Sequence, residues 1–251
     1  MLRYRSGNPV VRRVANDAGS HVATADQASY PGVISKTAWL LGLMIIAATL
    51  SGSALLNQAE IPSLAIIGLI AAPIIGFICL LVAMLVPKTA PIFGSLYALA
   101  QGAFIGVVSM SYEIWFGDGI VAAALTATIG VFVAMLLLYA TGLVTVGSFM
   151  RRALMLGLFG ILLSSLILWP LSLLGVFGPE TTLNFIFVIT VVAVIVASLF
   201  LLVDFDNIRN AVDSGADKRY EWLLSLGLVV TLVWLYIELL RLIAILRSRR
   251  R

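Results

Sequence analysis

Three carboxylates and a guanidinium stand within or at the end of the two most C-terminal apolar stretches of this chain. Glu238 and Arg241 interrupt the last long apolar run, Leu223 to Leu246, and the run before it closes on Val203-Asp204-Phe205-Asp206. Earlier apolar runs carry ionisable groups only at their ends. A charge at mid-bilayer costs about 2.5–3.5 kcal/mol on insertion scales, so such residues face a protein interior or a water-filled path and mark ion or proton routes. Asp204 and Asp206 are two apart and point in different directions on one helix. Asp206 borders the polar segment Asn207 to Lys218 and reads as solvated, which leaves Asp204 as the deeper acid. Glu238 and Arg241, three apart, share a helix face.

Two chemistries are open to these residues. In the first, Glu238 and Arg241 form an intrahelical ion pair that neutralises itself near the outer boundary, with Arg241 snorkelling toward the polar region. In the second, Glu238 faces Asp204 across two neighbouring helices. Two carboxylates held close share a proton and titrate as a coupled pair, which makes a pH-sensitive latch. The same oxygens would attract a cation such as Ca²⁺. A purely structural role, as polar glue between helices, is the third reading. Depth separates them: with helix six ending near Asp213 and helix seven beginning near Tyr220, the two acids differ in depth by about 13 Å at 1.5 Å per residue.

The elements that must position these groups follow from composition. The 251 residues are 61% hydrophobic and 11% charged, far from the balance of a soluble domain. The expected fold is all-α, an integral membrane bundle of seven transmembrane helices with the seventh packed among the other six. The apolar runs place the spans at 37–56, 64–86, 92–112, 119–141, 152–174, 183–205 and 223–246. They are separated at Pro62, Pro87, Pro91, Gly117-Asp118-Gly119, Gly147 and Gly178-Pro179. The runs are too long and too continuously apolar for transmembrane strands. Residues 1–36 read as a disordered cytoplasmic tail, 37–247 as the membrane domain and 248–251 as a basic tail. Trp39, Trp115, Trp169, Tyr220 and Trp222 fall near span ends, as an interfacial belt would place them. Gly102-xxx-Gly106 permits close approach of a neighbouring helix.

Several function classes are excluded or disfavoured. His21, the single histidine, lies in the polar tail, so no intramembrane histidine–serine pair or His-Glu-x-x-His zinc site is available. No glycine-rich phosphate loop ending in lysine is present, no cofactor is expected, and the chain does not read as an enzyme. The single cysteine, Cys79, reads as a small buried hydrophobe. A net charge of +4 does not point to nucleic acid, because the basic residues sit at span ends. Arg3, Arg5, Arg12, Arg13 and Lys36 precede the first span, and Lys88, Arg151, Arg152, Arg209, Lys218 and Arg219 fall in the loops after spans two, four and six. The loops after spans one, three and five carry Glu60, Glu113, Asp118 and Glu180 instead. This asymmetry places the N-terminus in the cytoplasm of a cell-membrane protein. The tail Arg247-Ser248-Arg249-Arg250-Arg251 conflicts with it, and either crosses against the rule or follows a re-entrant seventh segment; crossing is the expectation.

Leu202-Val203-Asp204-Phe205-Asp206-Asn207-Ile208 resembles the signature closing the sixth helix of the Bax inhibitor-1/YccA family, and Leu235-Tyr236-Ile237-Glu238-Leu239-Leu240-Arg241-Leu242 resembles the signature of its seventh. Ala100-Gln101-Gly102-Ala103-Phe104-Ile105-Gly106 is similar to a Glu-Gly-x-x-x-Gly element of the third. The match looks closest to an actinobacterial branch and covers about residues 37–247. The resemblance implies a pH-gated Ca²⁺ leak of the cytoplasmic membrane, with Asp204 and Glu238 as the latch, Arg241 tuning it, and Asp206 and Gln101 as secondary candidates. It makes Asp204 and Glu238 candidate Ca²⁺ ligands. It departs from the family in three ways: the second acid is Glu, Arg241 stands where Asn is usual, and the 34-residue separation of the acids is longer. The same family implies a second reading, a non-conducting protein that restrains a membrane-bound quality-control protease, gripped through the basic N-terminal tail.

Overall fold

Backbone groups in lipid have no water to bond, so long apolar runs must satisfy them internally as helices. The computed structural model, which describes residues 27–56 and 63–249, folds all seven runs this way. The helices are α1 (Tyr30–Leu56), α2 (Ser63–Leu85), α3 (Ala90–Phe116), α4 (Ile120–Ala140), α5 (Ser148–Leu173), α6 (Pro179–Asp213) and α7 (Tyr220–Ser248). No strand occurs among the described residues, only one isolated antiparallel bridge between Gln27 and Asp217. Among the described residues, six helices are long and apolar enough to cross a membrane, and α2 adds a shorter apolar stretch, Ile70–Leu85. The chain is an all-α integral membrane protein. In α7, 61% of the apolar stretch is buried, the largest share of any candidate span.

The helix ends follow local chemistry. α1 starts at Tyr30, seven residues before the span expected from hydropathy, because Ser29 caps it: the Ser29 hydroxyl accepts the Gly32 N–H at 3.1 Å. Residues 30–36 of the expected tail are therefore helical, and residues 1–26 lie outside the described residues. Pro91 does not separate spans two and three but sits in the first turn of α3, where its missing N–H costs nothing. Gly117 and Gly119 turn the chain between α3 and α4 at φ of 93° and 84°, a region that excludes most side chains. α6 ends at Asp213 and α7 begins at Tyr220, the boundaries on which the depth of the two acids was reckoned.

The described residues within Met1–Ser111 and Asp204–Val230 group into one compact unit, and those within Tyr112–Val203 and Thr231–Arg251 into a second. In the first, α1 and α3 meet backbone to backbone. A methyl group on Gly102 would fall on the Met44 carbonyl and 2.9 Å from the Ala47 Cβ, and one on Gly106 would fall on the Ala48 carbonyl. The Ser51 hydroxyl crosses the same seam to the Ala103 carbonyl at 3.0 Å. Small residues on both helices thus allow the close packing that lipid itself does not drive. In the second unit, Leu154, Val196 and Val203 form a buried cluster, with Phe200 and Trp234 packed beside it, rings edge to face at 6.0 Å.

Candidate functional site

In the second unit, α7 carries Glu238 and Arg241 on one face, one turn apart. Glu238 is 6% exposed. Arg241 Nη1 donates to both of its carboxylate oxygens, at 3.2 and 3.1 Å, and the indole of Trp234 one turn earlier bonds the same carboxylate. The Arg241 side chain keeps 40% of its surface, so its head snorkels outward while its stem covers apolar surface. The structure thus brings Glu238 and Arg241 together, as the intrahelical reading expects. Trp234 is a participant that sequence reasoning did not single out; its position four residues before Glu238 was the available signal.

Asp204, Asp206 and Gln101 belong to the first unit, and Glu238 to the second. Asp204 lies nine residues before the end of α6 and is half-buried. Asp206 is not simply solvated, as its place beside a polar segment suggested. It is half-buried and accepts the Asn210 side-chain amide at 2.9 Å, one helical turn on. Gln101 packs against α2 at Gly76, where an added methyl group would stand 2.9 Å from its Nε2. Among the described residues, no group of three or more His, Cys, Asp or Glu side chains is placed to hold a metal ion.

A second polar centre in the first unit was not anticipated. Glu221, in the first turn of α7, is 0% exposed. Its Oε1 accepts the Ser29 backbone N–H at 2.8 Å and the Ser29 hydroxyl at 3.0 Å, and its Oε2 pairs with the Lys36 ammonium. A methyl group on Gly32 would collide with the Glu221 carboxylate, so any larger residue there must push that carboxylate aside. Just C-terminal to it, the Ser225 hydroxyl donates to the Val33 carbonyl at 2.9 Å. Lys36, a topology-setting charge in the sequence, is here a structural partner, and it also lies over the Trp222 ring at 5.7 Å. Tyr220, placed in the interfacial belt by its position, is instead buried with Ala28, Ala211 and Ala216, because the segment before α1 covers it. Trp39, Trp115 and Trp169 are exposed, as belt residues should be. An acid in a first helical turn was visible in the sequence, favourable to the helix dipole. Its pairing across 185 residues was not.

The C-terminal end of α7 is tied within the second unit. Arg247 Nη1 donates to the carbonyls of Phe116, Gly117 and Asp118 at 3.4, 3.0 and 3.2 Å, which caps the end of α3 with a cation. Arg249 bonds Asn184 at 2.6 Å near the start of α6 and lies 4.4 Å from the Phe187 ring centre. Glu113 accepts the Gly119 and Val121 N–H groups and so caps the start of α4. α7 is one unbroken helix of 29 residues, long and apolar enough to cross a membrane.

An α-helical multi-pass membrane protein with acids near the end of its sixth span and inside its seventh is the class these features define. The family model described as Bax inhibitor 1 like matches residues 8–248, and the chain belongs to the Bax inhibitor-1 family. No curated protein matches the sequence.

Proposed function

We propose that the chain is a pH-sensitive cation leak of the cytoplasmic membrane, with Ca²⁺ as the transported ion and Asp204 and Glu238 as its titrating acids. The observation that carries the reading is Glu238, a carboxylate 6% exposed within an apolar span of a Bax inhibitor-1 family protein. Burial of this kind is costly and is retained where a group serves transport. Protonating Glu238 removes the charge that Arg241 balances, so α7 changes its charge pattern with pH, and Arg241 sets how readily it does so. The N-terminus lies in the cytoplasm, as the lysine and arginine asymmetry between alternate loops supports. The bilayer is then the immediate partner.

The test is Ca²⁺ flux into liposomes at pH 6, 7 and 8, for the wild type, Asp204→Asn and Glu238→Gln. The wild type conducts with a pH dependence that either substitution flattens. Identical pH profiles in all three, or no flux in any, would sink the reading. The self-neutralised Glu238–Arg241 pair favours a second reading, a non-conducting protein that modulates a membrane-bound quality-control protease. Deleting residues 1–26 separates the two, since flux survives the deletion if the protein conducts, whereas protease association is lost if the tail is the grip.

A further inference from the structure

Residues 27–36 are fastened to the α6–α7 connection at four separate points. Gln27 and Asp217 face each other in an antiparallel bridge, and the Ala28 N–H donates to the Ala216 carbonyl at 2.7 Å. Ser29 and Lys36 converge on the buried Glu221 carboxylate, and Val33 receives the Ser225 hydroxyl. The two sides are about 190 residues apart in sequence, yet Ala28 and Ala216 are both buried in one apolar cluster with Ala211 and Tyr220. Glu221 has no water-facing surface, and charge-assisted donors fill both of its oxygens. Gly32 leaves the space that the carboxylate occupies. The contact is therefore built around one acid rather than being a loose tail lying on a surface.

The elements joined here are also those that carry the acids of the proposed function. The fastened turn ends α6, nine residues beyond Asp204, and begins α7, the helix of Glu238. We propose that residues 27–36 form a strap that holds the α6–α7 hairpin in its resting position, with Glu221 as its anchor and Lys36 and Ser29 as the groups it holds. This rests on the leak reading above. A hairpin that shifts during conduction must first break the bonds to Glu221, and one that stays strapped stays closed. Glu221 is a positioning residue in this scheme and touches no ion.

The experiment uses the full chain in liposomes and in detergent, with Cys79→Ala as background. Hydrogen exchange at the amides of Ala28, Ser29 and Val33 reads whether the strap is fastened, and Ca²⁺ flux reads the leak. Glu221→Gln and Lys36→Gln speed that exchange by about tenfold or more, the loss of a charge-assisted bond, and raise resting flux several-fold. Gly32→Val, which displaces the carboxylate sterically, does the same by an independent route. Directly opposed antiparallel residues are within disulfide reach, so Gln27→Cys with Asp217→Cys, oxidised by copper phenanthroline, relocks the strap. In the Glu221→Gln background the crosslink returns flux to the wild-type level, and dithiothreitol raises it again. A variant that merely misfolds would not answer reversibly to the reductant. Faster exchange with flux unchanged by variant or crosslink overturns the strap as a gate, and so does unchanged exchange. No flux from any variant, crosslinked or reduced, overturns the leak reading and the gate with it, while the exchange data report separately on Glu221 as the anchor.

Discussion

Arg241 serves Glu238 through a single nitrogen, Nη1, which stands 3.2 and 3.1 Å from the two carboxylate oxygens. The pair is lopsided. The Glu238 side chain keeps 8% of its surface and that of Arg241 keeps 40%. The acid depends on its partner for neutralisation, whereas the guanidinium still has water or headgroups to turn to.

That asymmetry makes the two truncations unequal. Arg241→Met leaves a buried carboxylate without its cation and destabilises the protein by about 1–3 kcal/mol. Glu238→Gln costs less, because the amide still accepts from Trp234 and the guanidinium reaches solvent. The double variant recovers most of the loss. Unfolding in mixed micelles, analysed as a double-mutant cycle, should show a coupling of at least about 0.5 kcal/mol between neighbours of this kind. Additive effects would mean that the pair contributes nothing.

Glycines on two helices should respond in opposite directions. Gly106 on α3 is pressed against the Ala48 carbonyl of α1, so Gly106→Leu must separate two backbones and costs about 1–3 kcal/mol or more. Gly130 on α4 has nothing within 4 Å of an added Cβ. Gly130→Ala removes only the backbone freedom of the unfolded chain and stabilises by about 0.4–1 kcal/mol. Thermal inactivation in detergent of the two variants beside the wild type checks the contrast.

The contrast also shows what a sequence can carry. All seven helices were legible because hydropathy alone decides them, and the Gly102–Gly106 seam was legible because small residues at spacing four name a face. Glu238 with Arg241 was legible for the same reason, spacing on one helix. Glu221 was not, since its partners Ser29 and Lys36 precede it by 192 and 185 residues, and no local period links them. The start of α1 was misplaced because hydropathy is blind to a cap, and Ser29 moves the helix start seven residues upstream of the first apolar run. Tyr220 was assigned to the interface for want of knowing that Ala28 would cover it.

Acid should weaken the turn that holds the strap. Asp217 lies outside the spans, and the Arg219 side chain bonded to it holds its carboxyl below the ordinary aspartate value of 3.8. A lowered folded value means that the contact stabilises in full above 3.8, and that this contribution is lost as pH falls through the lowered value. Asp217→Asn should therefore lower the unfolding temperature at pH 6 by a few degrees at most, since a partly exposed pair of this type is worth about 0–1 kcal/mol. As pH falls below 3.8 the gap between the variant and the wild type should shrink. A gap that persists undiminished at low pH would assign the effect to something other than the charge.

The last prediction concerns the side on which the chain ends. Arg247 and Arg249 would ordinarily hold a helix end in the cytoplasm. Here Arg247 is spent on the carbonyls of Phe116, Gly117 and Asp118, and Arg249 on Asn184. Those partners lie in the α3–α4 turn and in the first residues of α6, the segments where lysine and arginine are absent and Glu113, Asp118 and Glu180 occur. Seven crossings from a cytoplasmic N-terminus, as proposed above, would put that end outside, with the helix-capping bonds offsetting the adverse charge. Ser248→Cys in a Cys79→Ala background should react with a membrane-impermeant maleimide applied to intact cells, and a reporter fused after Arg251 should register outside. Arg247→Ala should cost about 0.3–1 kcal/mol as a lost cation at a helix C-terminus. If Ser248→Cys is protected in intact cells and labels only after lysis while the N-terminus is cytoplasmic, the seventh segment does not cross, and the bonds from Arg247 to the α3–α4 turn cannot form in the membrane.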